Sequence, residues 1–365
     1  MAAPIKSYLG VDLGGKSIKM VELKDMEGKP QLVTYGFIEL FADTTTNFID
    51  NPEKTAETIK EIAKKSKVTT TKVIAALPAP SVFNAIISLP SLTKKDLSSD
   101  KKIAAAVRYE AKKVVPISLD DMVLDWKILS PQSMSTLPGT EEKITNLQVL
   151  LTGAAKSLIK KYMDLFKKAD LEILSLETES FALIRSLVGK DKSLSMILDI
   201  GAMNTDLSIV ESGIPIIERS INTGGFAITQ AISRSLKVNL DQAEQMKKDF
   251  SIATISNGQQ QNGYRLPDSI IKVIEPIINE IKYTVGFFQE QPENRGKFIE
   301  KLVLAGGTGM FYNLTNYLSS VLDMRVYIGD PWARVIYPEP LKPVLHDIGP
   351  KFACSLGLAM RDIVE

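Results

Sequence analysis

A chain of 365 residues with 44% apolar and 24% charged side chains has the composition of a globular protein with room for more than one core; its net charge of +1 carries no overall field that would draw it to nucleic acid or to an anionic membrane. The single cysteine, Cys354, rules out an internal disulfide framework and a cysteine-rich zinc site, and the lone histidine, His346, has no neighbour in sequence with which to hold a metal. The N-terminal MAAPIKSYLGVDLG lacks a signal-peptide core, and no run approaches the roughly 20 apolar residues of a spanning helix, so a cytoplasmic protein is expected.

The first element to read is GVDLGGKS, which fits the P-loop pattern G-x-x-x-x-G-K-[ST] with Gly10, Gly15, Lys16 and Ser17 in the patterned places. Its four variable positions, Val-Asp-Leu-Gly, read as the end of a buried strand. Asp12 would also turn a carboxylate towards phosphates, which is unfavourable without a Mg²⁺ between them. The residues that follow, apolar at Ile18, Met20, Val21 and Leu23, suit a strand or a short helix equally. A second copy later in the chain decides the matter. YLGVDLGGKSIKMVEL aligns with MILDIGAMNTDLSIVESG, Asp12 on Asp199 and Gly14 on Gly201. The second copy lacks the Lys-Ser, so the P-loop match is accidental. There Leu207 and Ile209 alternate with Asp206 and Ser208 before a Glu211-Ser212-Gly213 turn, the pattern of a β-hairpin. Two such hairpins predict two domains facing each other across a cleft, each presenting a glycine turn to phosphates and an aspartate, Asp12 or Asp199, to Mg²⁺. The plain alternative is two hairpins whose Asp and Gly only make tight turns.

Between the copies the chain reads as a further strand near 32–40 and a helix over 52–65. Then come a strand over 82–89, a helix over 94–113, a strand over 122–129, the polar turn-rich loop SPQSMSTLPGTEEK and the strand NLQVLLTG. A helix over 156–168 and a strand over 171–176 follow. After the second copy, VNLDQAEQMKKDF opens with Asn239 as N-cap and Gln242 three residues on. Glu244 and Lys247 share one face of that helix, either as a solvated pair or as nucleotide contacts. ISNGQQQNGYR is a polar loop. KLVLAGGTGMFYNLTNYLSSVLDMRV reads as a buried strand over 302–305, a turn carrying Gly306, Gly307 and Gly309, and a helix over 310–322 whose N-terminus can face a nucleotide. Its spacing is not the G-x-G-x-x-G of a dinucleotide site. The last helix, 351–364, is expected to cross back to the first domain.

The order hairpin, hairpin, glycine turn resembles the actin-like ATPase superfamily, whose two phosphate motifs and adenosine motif look like residues 12–19, 199–206 and 302–309. Nearly the whole chain is similar to the PilM family of type IV pilus assembly. VRYEAKKVVPISLDDMVLDWKIL looks like that family's helix-to-strand segment, with Glu110-Ala111 and Val115-Pro116 in the expected places. ILSLETESFALIRSL looks like its connecting helix, LDIGAMNTDLSIVESGIPIIERSINTGG like its second hairpin, and GDPWARV and ACSLGLAMRDI like its C-terminal elements. The chain departs from the family at Gly15-Lys16, where small hydroxyl residues are usual, and at Asn204, where an acidic residue is common.

The resemblance implies an α/β chain of actin-like ATPase fold, two RNase H-like domains flanking a nucleotide cleft, with an inserted α/β subdomain. The first domain would be 1–77 and 155–192 with the C-terminal helix 351–364, the insert 78–154, the second domain 193–224 and 299–348, and a helical nucleotide-contacting subdomain 225–298. ATP and Mg²⁺ are the implied ligands. Gly14, Gly15, Lys16, Ser17 and Lys19 would serve from the first turn; Gly201, Asn204 and Thr205 from the second; Gly224 at the edge of the second domain with Gly225, Glu244 and Lys247 of the helical subdomain; Gly306, Gly307 and Gly309 from the third turn. Lys19 neutralises phosphate charge or is an ordinary strand lysine; Gly224, Gly225 and Thr229 approach the ribose or are turn and cap residues. Glu179, in ETESFA, matches the family acid that orients an attacking water, which makes slow ATP hydrolysis an open question. The expected function is an ATP-binding scaffold of the pilus machine. Its nucleotide state would be coupled to the N-terminal cytosolic peptide of an inner-membrane PilN-like protein, bound beside the insert. That would recruit it to the cytoplasmic face of the inner membrane, with membrane contact only through partners and self-association as a further property. Two other readings belong to the same superfamily. An FtsA-like filament former usually ends in an amphipathic membrane helix, which GLAMRDIVE does not supply. A small-molecule kinase would carry a signature that no segment here resembles.

Overall fold

The computed structural model describes residues 6–40, 48–89, 92–93, 99–115, 117–135, 143–256, 266–309 and 311–364. The chain divides into two compact units, Pro80–Met163 and the remainder, Met1–Ala79 with Asp164–Glu365.

Among the described residues the larger unit is built on two five-stranded sheets of one design. In the first, β1 (Ser7–Leu13), β2 (Ser17–Asp25) and β3 (Pro30–Glu39) form an antiparallel meander, and β4 (Lys72–Leu77) and β9 (Glu172–Thr178) extend it beyond β1 as parallel strands. The second repeats it strand for strand: β10 (Ser195–Ile200), β11 (Thr205–Glu211) and β12 (Ile214–Ile221) antiparallel, then β13 (Lys301–Ala305) and β14 (Arg325–Ile328) parallel. β1 and β10 are buried along nearly their whole length, as central strands with both faces covered require. The turns repeat as well. Glu27-Gly28 between β2 and β3 and Ser212-Gly213 between β11 and β12 each place two successive residues at positive φ, the two-residue hairpin turn whose twist matches its strands. The P-loop pattern is thereby disposed of, because Lys16-Ser17 leads into strand β2 and not into a helix.

Helix α1 (Pro52–Lys65), capped by the Asn51 side chain, belongs to the first sheet. Helix α4 (Glu179–Leu183) leaves β9 and passes into a π-turn over Ile184–Val188. The second sheet is covered by α5 (Gly225–Leu236), α6 (Leu240–Ser256), α7 (Asp268–Glu290) and α8 (Tyr312–Leu322). Their Ile228, Ile232, Ile274, Ile281 and Leu318 share one core with Met196, Leu198, Leu302 and Leu304. α6 begins as its sequence predicts: Gln242 N donates to Asn239 Oδ1 at 2.8 Å and Asn239 N to Gln242 Oε1 at 3.3 Å.

Helix α9 (Lys342–Val364) serves both sheets, its Phe352, Leu356, Ala359 and Met360 sharing a core with Val21, Leu23, Ile74, Ile197 and Ala305. It crosses β1 so closely that a Cβ on Gly10 would come within 2.0 Å of Ser355 O, and a Cβ on Gly357 within 1.9 Å of Ala182 O in α4. The helix is longer than the expected 351–364. Pro350 lacks the N–H a helix interior uses and reads as a start signal. Leu345, Gly349 and Pro350 are nevertheless buried with the residues that follow, and this packing carries the helix through the proline.

In the smaller unit, β8 (Lys143–Ala155) is central, antiparallel to β7 (Met122–Ser135) on one side and to β5 (Val82–Leu89) and the short β6 (Leu92–Thr93) on the other. Helix α2 (Asp100–Val114) seals it through Ile103, Val107 and Ala111, packed with Leu89, Val149 and Leu151. The helix expected over 94–113 starts at Asp100, and 94–98 lie outside the described residues. The strand expected over 122–129 runs on to Ser135, into what reads as a polar loop. A bulge between Ile128 and Pro131 absorbs the proline, and β8 offers a pairing partner that local sequence cannot reveal. The rest of that loop, 136–142, residues 257–265 of the second polar loop, and Met310 are outside the described residues. Helix α3 (Lys156–Lys168) carries the chain onward.

Candidate functional site

The two hairpins present the same turn to each other. Gly14 N donates to Ser17 O and Gly201 N to Asn204 O, each at 2.9 Å. Beneath the turns, Asp12 faces Lys19 across the strands in the register that Asp199 and Asp206 occupy in the second copy. A Cβ on Gly15 would come within 2.7 Å of Met203 Cγ, so the turns are in contact.

Asp12 is 5% exposed and holds Lys19 Nζ at 2.9 Å. Burial pulls the Lys19 ammonium down, but Asp12, and then Asp199, more than offset this and leave it above its ordinary value. Burial and the facing Asp206 push Asp199 up to about 7 against the pull of Lys19, and Asp12 adds to the rise. Asp206 is raised by its own burial in spite of a hydrogen bond with Ser220, and its Oδ1 is buried with no hydrogen-bond partner among the described residues. Glu179, at the start of α4, is the fourth carboxylate. Burial, Asp12 and Asp206 push it well above the ordinary carboxyl range, while the Ala79 N–H, donating to Oε2 at 3.0 Å, opposes the shift. Burial pushes the Cys354 thiol of α9 up as well, and Asp12, Glu179 and Asp199 push in the same direction. Four carboxylates around one ammonium form a site short of positive charge and rich in hard oxygen donors, which suits a divalent ion such as Mg²⁺. Among the described residues no three His, Cys, Asp or Glu groups stand close enough to chelate an ion directly.

The third glycine turn closes on the second hairpin. Gly306 has φ +81°, and a Cβ there would strike Ile200 O at 2.3 Å and Asp199 Oδ1 at 2.4 Å. Its N–H donates to Pro350 O of α9 at 3.0 Å. A Cβ on Gly309 would meet Ala305 O at 2.5 Å, and one on Gly225 would meet Thr308 Oγ1 at 2.1 Å. The carbonyls of Gly201 and Ala202 accept from Gly225 N at 2.9 Å and Phe226 N at 2.8 Å, which caps α5 with the second turn. A Cβ on Gly224 would strike both carbonyl oxygens at 2.7 Å. Glu244 and Lys247, 2.7 Å apart, are not a solvated pair. Thr229 Oγ1 donates to Glu244 at 2.5 Å, and Lys247 Nζ donates to Gly225 O at 3.1 Å and Thr229 Oγ1 at 2.9 Å. Burial lowers the Lys247 ammonium in spite of Glu244.

The structure thus gathers Asp12, Lys19, Glu179 and Asp199 into one cluster; Gly14 and Gly306 lie against it, near Lys19 Nζ and Asp199 Oδ1, while Gly15, Gly201, Gly224, Gly225 and Gly309 pack against the neighbouring turns and strand ends. Ser17 and Asn204 contribute the carbonyls that close their turns. The Thr205 hydroxyl is engaged elsewhere, donating to Thr223 O at 2.7 Å. Among the described residues Gly307 has only Lys351 Cβ, at 3.9 Å, near its open face. Lys16 reaches the ring of Phe226. His346 is exposed on α9 beside Asp347. Sequence reasoning does not single out Asp206, Phe226 or Thr308. Asp206 carries a signal, since it takes in the second hairpin the register place of Lys19 in the first; the other two carry none beyond adjacency to a glycine turn.

One sheet built twice, two opposed aspartate-bearing turns and a helix returning over both halves define the actin-like ATPase fold. MreB 5 of Spiroplasma citri, solved with AMPPNP, shares it at a TM-score of 0.51 and 12% identity over 96% of this chain and 94% of its own, a likeness of fold alone. Within that fold the chain belongs to the family of the type IV pilus assembly protein PilM, which it matches over residues 10–363. A solved PilM–PilN type IV pilus biogenesis complex is similar at a TM-score of 0.78 and 25% identity, covering 99% of this chain and 100% of that one. The cell division proteins FtsA of Neisseria meningitidis serogroup B and of Bacillus subtilis (strain 168) are 22% identical over 270 residues and 24% identical over 203. These regions are 68% and 50% of this chain, and they span 64% and 44% of the two FtsA proteins. No described helix is long and apolar enough to cross a membrane.

Proposed function

We propose that the chain serves type IV pilus assembly as a nucleotide-responsive scaffold. Mg-ATP binds between the two hairpins, and its presence sets the affinity for the N-terminal cytosolic segment of an inner-membrane PilN-like partner. The observation that carries the nucleotide half is the duplicated turn, with Asp12 and Asp199 at matching strand ends in a cluster where carboxylates outnumber the one ammonium of Lys19. Asp12 and Asp199 hold the waters of Mg²⁺, which when bound offsets carboxylate and phosphate charge together. Lys19 and the N–H groups of the first two glycine turns serve the phosphates, with Lys16, Ser17, Asn204 and Thr205 in the same turns. Gly224, Gly225, Glu244 and Lys247 serve the nucleoside, and Gly306, Gly307 and Gly309 close the far side. Glu179 holds a water by hydrogen bond and supports slow hydrolysis at most. The partner half rests on the family and on the likeness to a complex solved with PilN; recruitment to the cytoplasmic face of the inner membrane goes with it.

Calorimetric titration tests the site. Asp12→Ala and Asp199→Ala should each weaken Mg-ATP about tenfold or more, about 1.4 kcal/mol, while unfolding stays cooperative. Wild-type affinity in both variants would exclude a site between the hairpins.

A further inference from the structure

At the end of β3 one carboxylate reaches two helices. Glu39 is the last residue of the strand and stands opposite Ser17, where β2 leaves the first glycine turn. The next residue, Leu40, donates its N–H to Lys16 O at 2.8 Å, so the backbone here is fixed to that turn. From this anchored place Glu39 Oε2 accepts from Lys248 Nζ of α6 at 3.0 Å and Oε1 from Lys351 Nζ of α9 at 3.3 Å. Burial pushes the Glu39 carboxyl up, but Lys351 and Lys248 more than offset this and leave it below its ordinary value. The two lysines differ in what holds them. The Lys351 side chain is 17% exposed, its ammonium lies 4.0 Å from the centroid of the Phe37 ring of β3, and its Cβ would meet a Cβ on Gly307 at 3.9 Å. Its helix α9 packs on Val21 and Leu23 of β2, so the bond from Lys351 stays within the first sheet and its covering helix. Lys248 is 46% exposed. It follows Lys247, which with Glu244 bonds the start of α5, and so it belongs to the helices that cover the second sheet. The Glu39–Lys248 bond therefore joins the two halves, and widening the gap between the hairpins carries α6 away from β3 and breaks it.

We propose that Glu39 and Lys248 form an ionic latch that opens each time a nucleotide enters or leaves, with Lys351 and the Phe37 ring setting the carboxylate in place. The proposal rests on the nucleotide-binding reading above. The latch governs passage and not affinity. The same bond is broken on the way in and on the way out, so its loss speeds both steps and leaves Kd near the wild-type value. An ion pair this exposed is worth at most about a fivefold change in rate, which suits a latch that must open readily.

Calorimetry gives Kd for Mg-ATP, and radiolabelled Mg-ATP chased with excess unlabelled nucleotide gives the release rate. Both are measured on the wild-type chain, Glu39→Gln, Lys248→Met and the double variant, with melting curves to confirm folding. Each single variant should release Mg-ATP about threefold faster with Kd changed by less than about twofold, so that association quickens by a similar factor. The double variant should be no faster than the single ones, because all three remove one bond. Added salt should quicken release from the wild-type chain more than from either single variant, since the pair is partly exposed. Wild-type release rates in both single variants would overturn the proposal. Faster release matched by an equally weaker Kd would make the pair a support of the bound state and overturn it too, as would additive effects in the double variant. If one single variant does not fold, the release rate and salt response of the other decide. A wild-type chain with no affinity for Mg-ATP overturns the nucleotide reading and this proposal with it; wild-type binding with unshifted release in the variants overturns this proposal alone.

Discussion

At Asp199 the chain keeps a carboxyl where ionisation is costly. Its value of about 7 lies above the 3.8 of an ordinary aspartate because it is buried and faces Asp206, with Asp12 beyond and Lys19 as the one opposing charge in the group. Between these two values the folded chain holds a proton that the unfolded chain has released. Stability therefore falls as pH rises from about 4 to about 7, and the full loss is present above that window. Asp199→Asn removes the loss. The variant should melt a few degrees higher than wild type at pH 8 and close to wild type at pH 4, at roughly 2–4 °C per kcal/mol. Thermal unfolding at the two pH values measures this, and a lower melting temperature for the variant at pH 8 would contradict the assigned protonation. At this scale Asp12, Asp199 and their glycines were legible from the internal repeat. Asp206 and the height of the Asp199 shift were not, because both depend on which residue the second strand sets opposite.

Two glycines inside helices show what an element adds to its residues. By intrinsic propensity, alanine improves any helix-interior glycine by about 1 kcal/mol. At Gly286 in α7 nothing among the described residues lies within 4 Å of a Cβ, so Gly286→Ala should stabilise the chain by about 0.5–1 kcal/mol. At Gly357 in α9 the Cβ would lie 1.9 Å from Ala182 O, and the Gly357 carbonyl accepts from Arg185 Nη1 at 2.8 Å. Gly357→Ala must push α9 off α4 and should destabilise by about 2 kcal/mol or more. Melting curves of the two variants should move in opposite directions; an unchanged Gly357→Ala would show that the helices do not meet there. The hairpins were readable because their alternation and turn residues are local. The passage of α9 through Pro350 and of β7 through Pro131 was not, since packing and a pairing strand from elsewhere override what proline signals.

For the molecule as a whole, the proposed nucleotide site and a PilN-like partner would be linked equilibria of one chain. If Mg-ATP changes the affinity for a PilN-like N-terminal peptide, the peptide must change the affinity for Mg-ATP by the same factor, with a coupling of about 1–3 kcal/mol. Peptide titrations with and without Mg-ATP, and Mg-ATP titrations with and without peptide, measure the two factors. Equal peptide affinity in both states would remove the nucleotide response while leaving the partner in place.

The amino-acid order alone determined the two hairpins, the capping box of α6, the glycine turn after β13 and, through their sum, the actin-like fold, because each is written in neighbours or in a repeat of neighbours. Tertiary structure decided the rest. It alone brought Asp12 and Asp206 close enough to Glu179 and Asp199 to add to the rise that burial gives those two carboxyls, turned Glu244 and Lys247 inward onto Thr229, and set Lys16 on Phe226. Electrostatic fields and close packing act through space, and residues distant in the chain meet only when both sheets and α9 are in place.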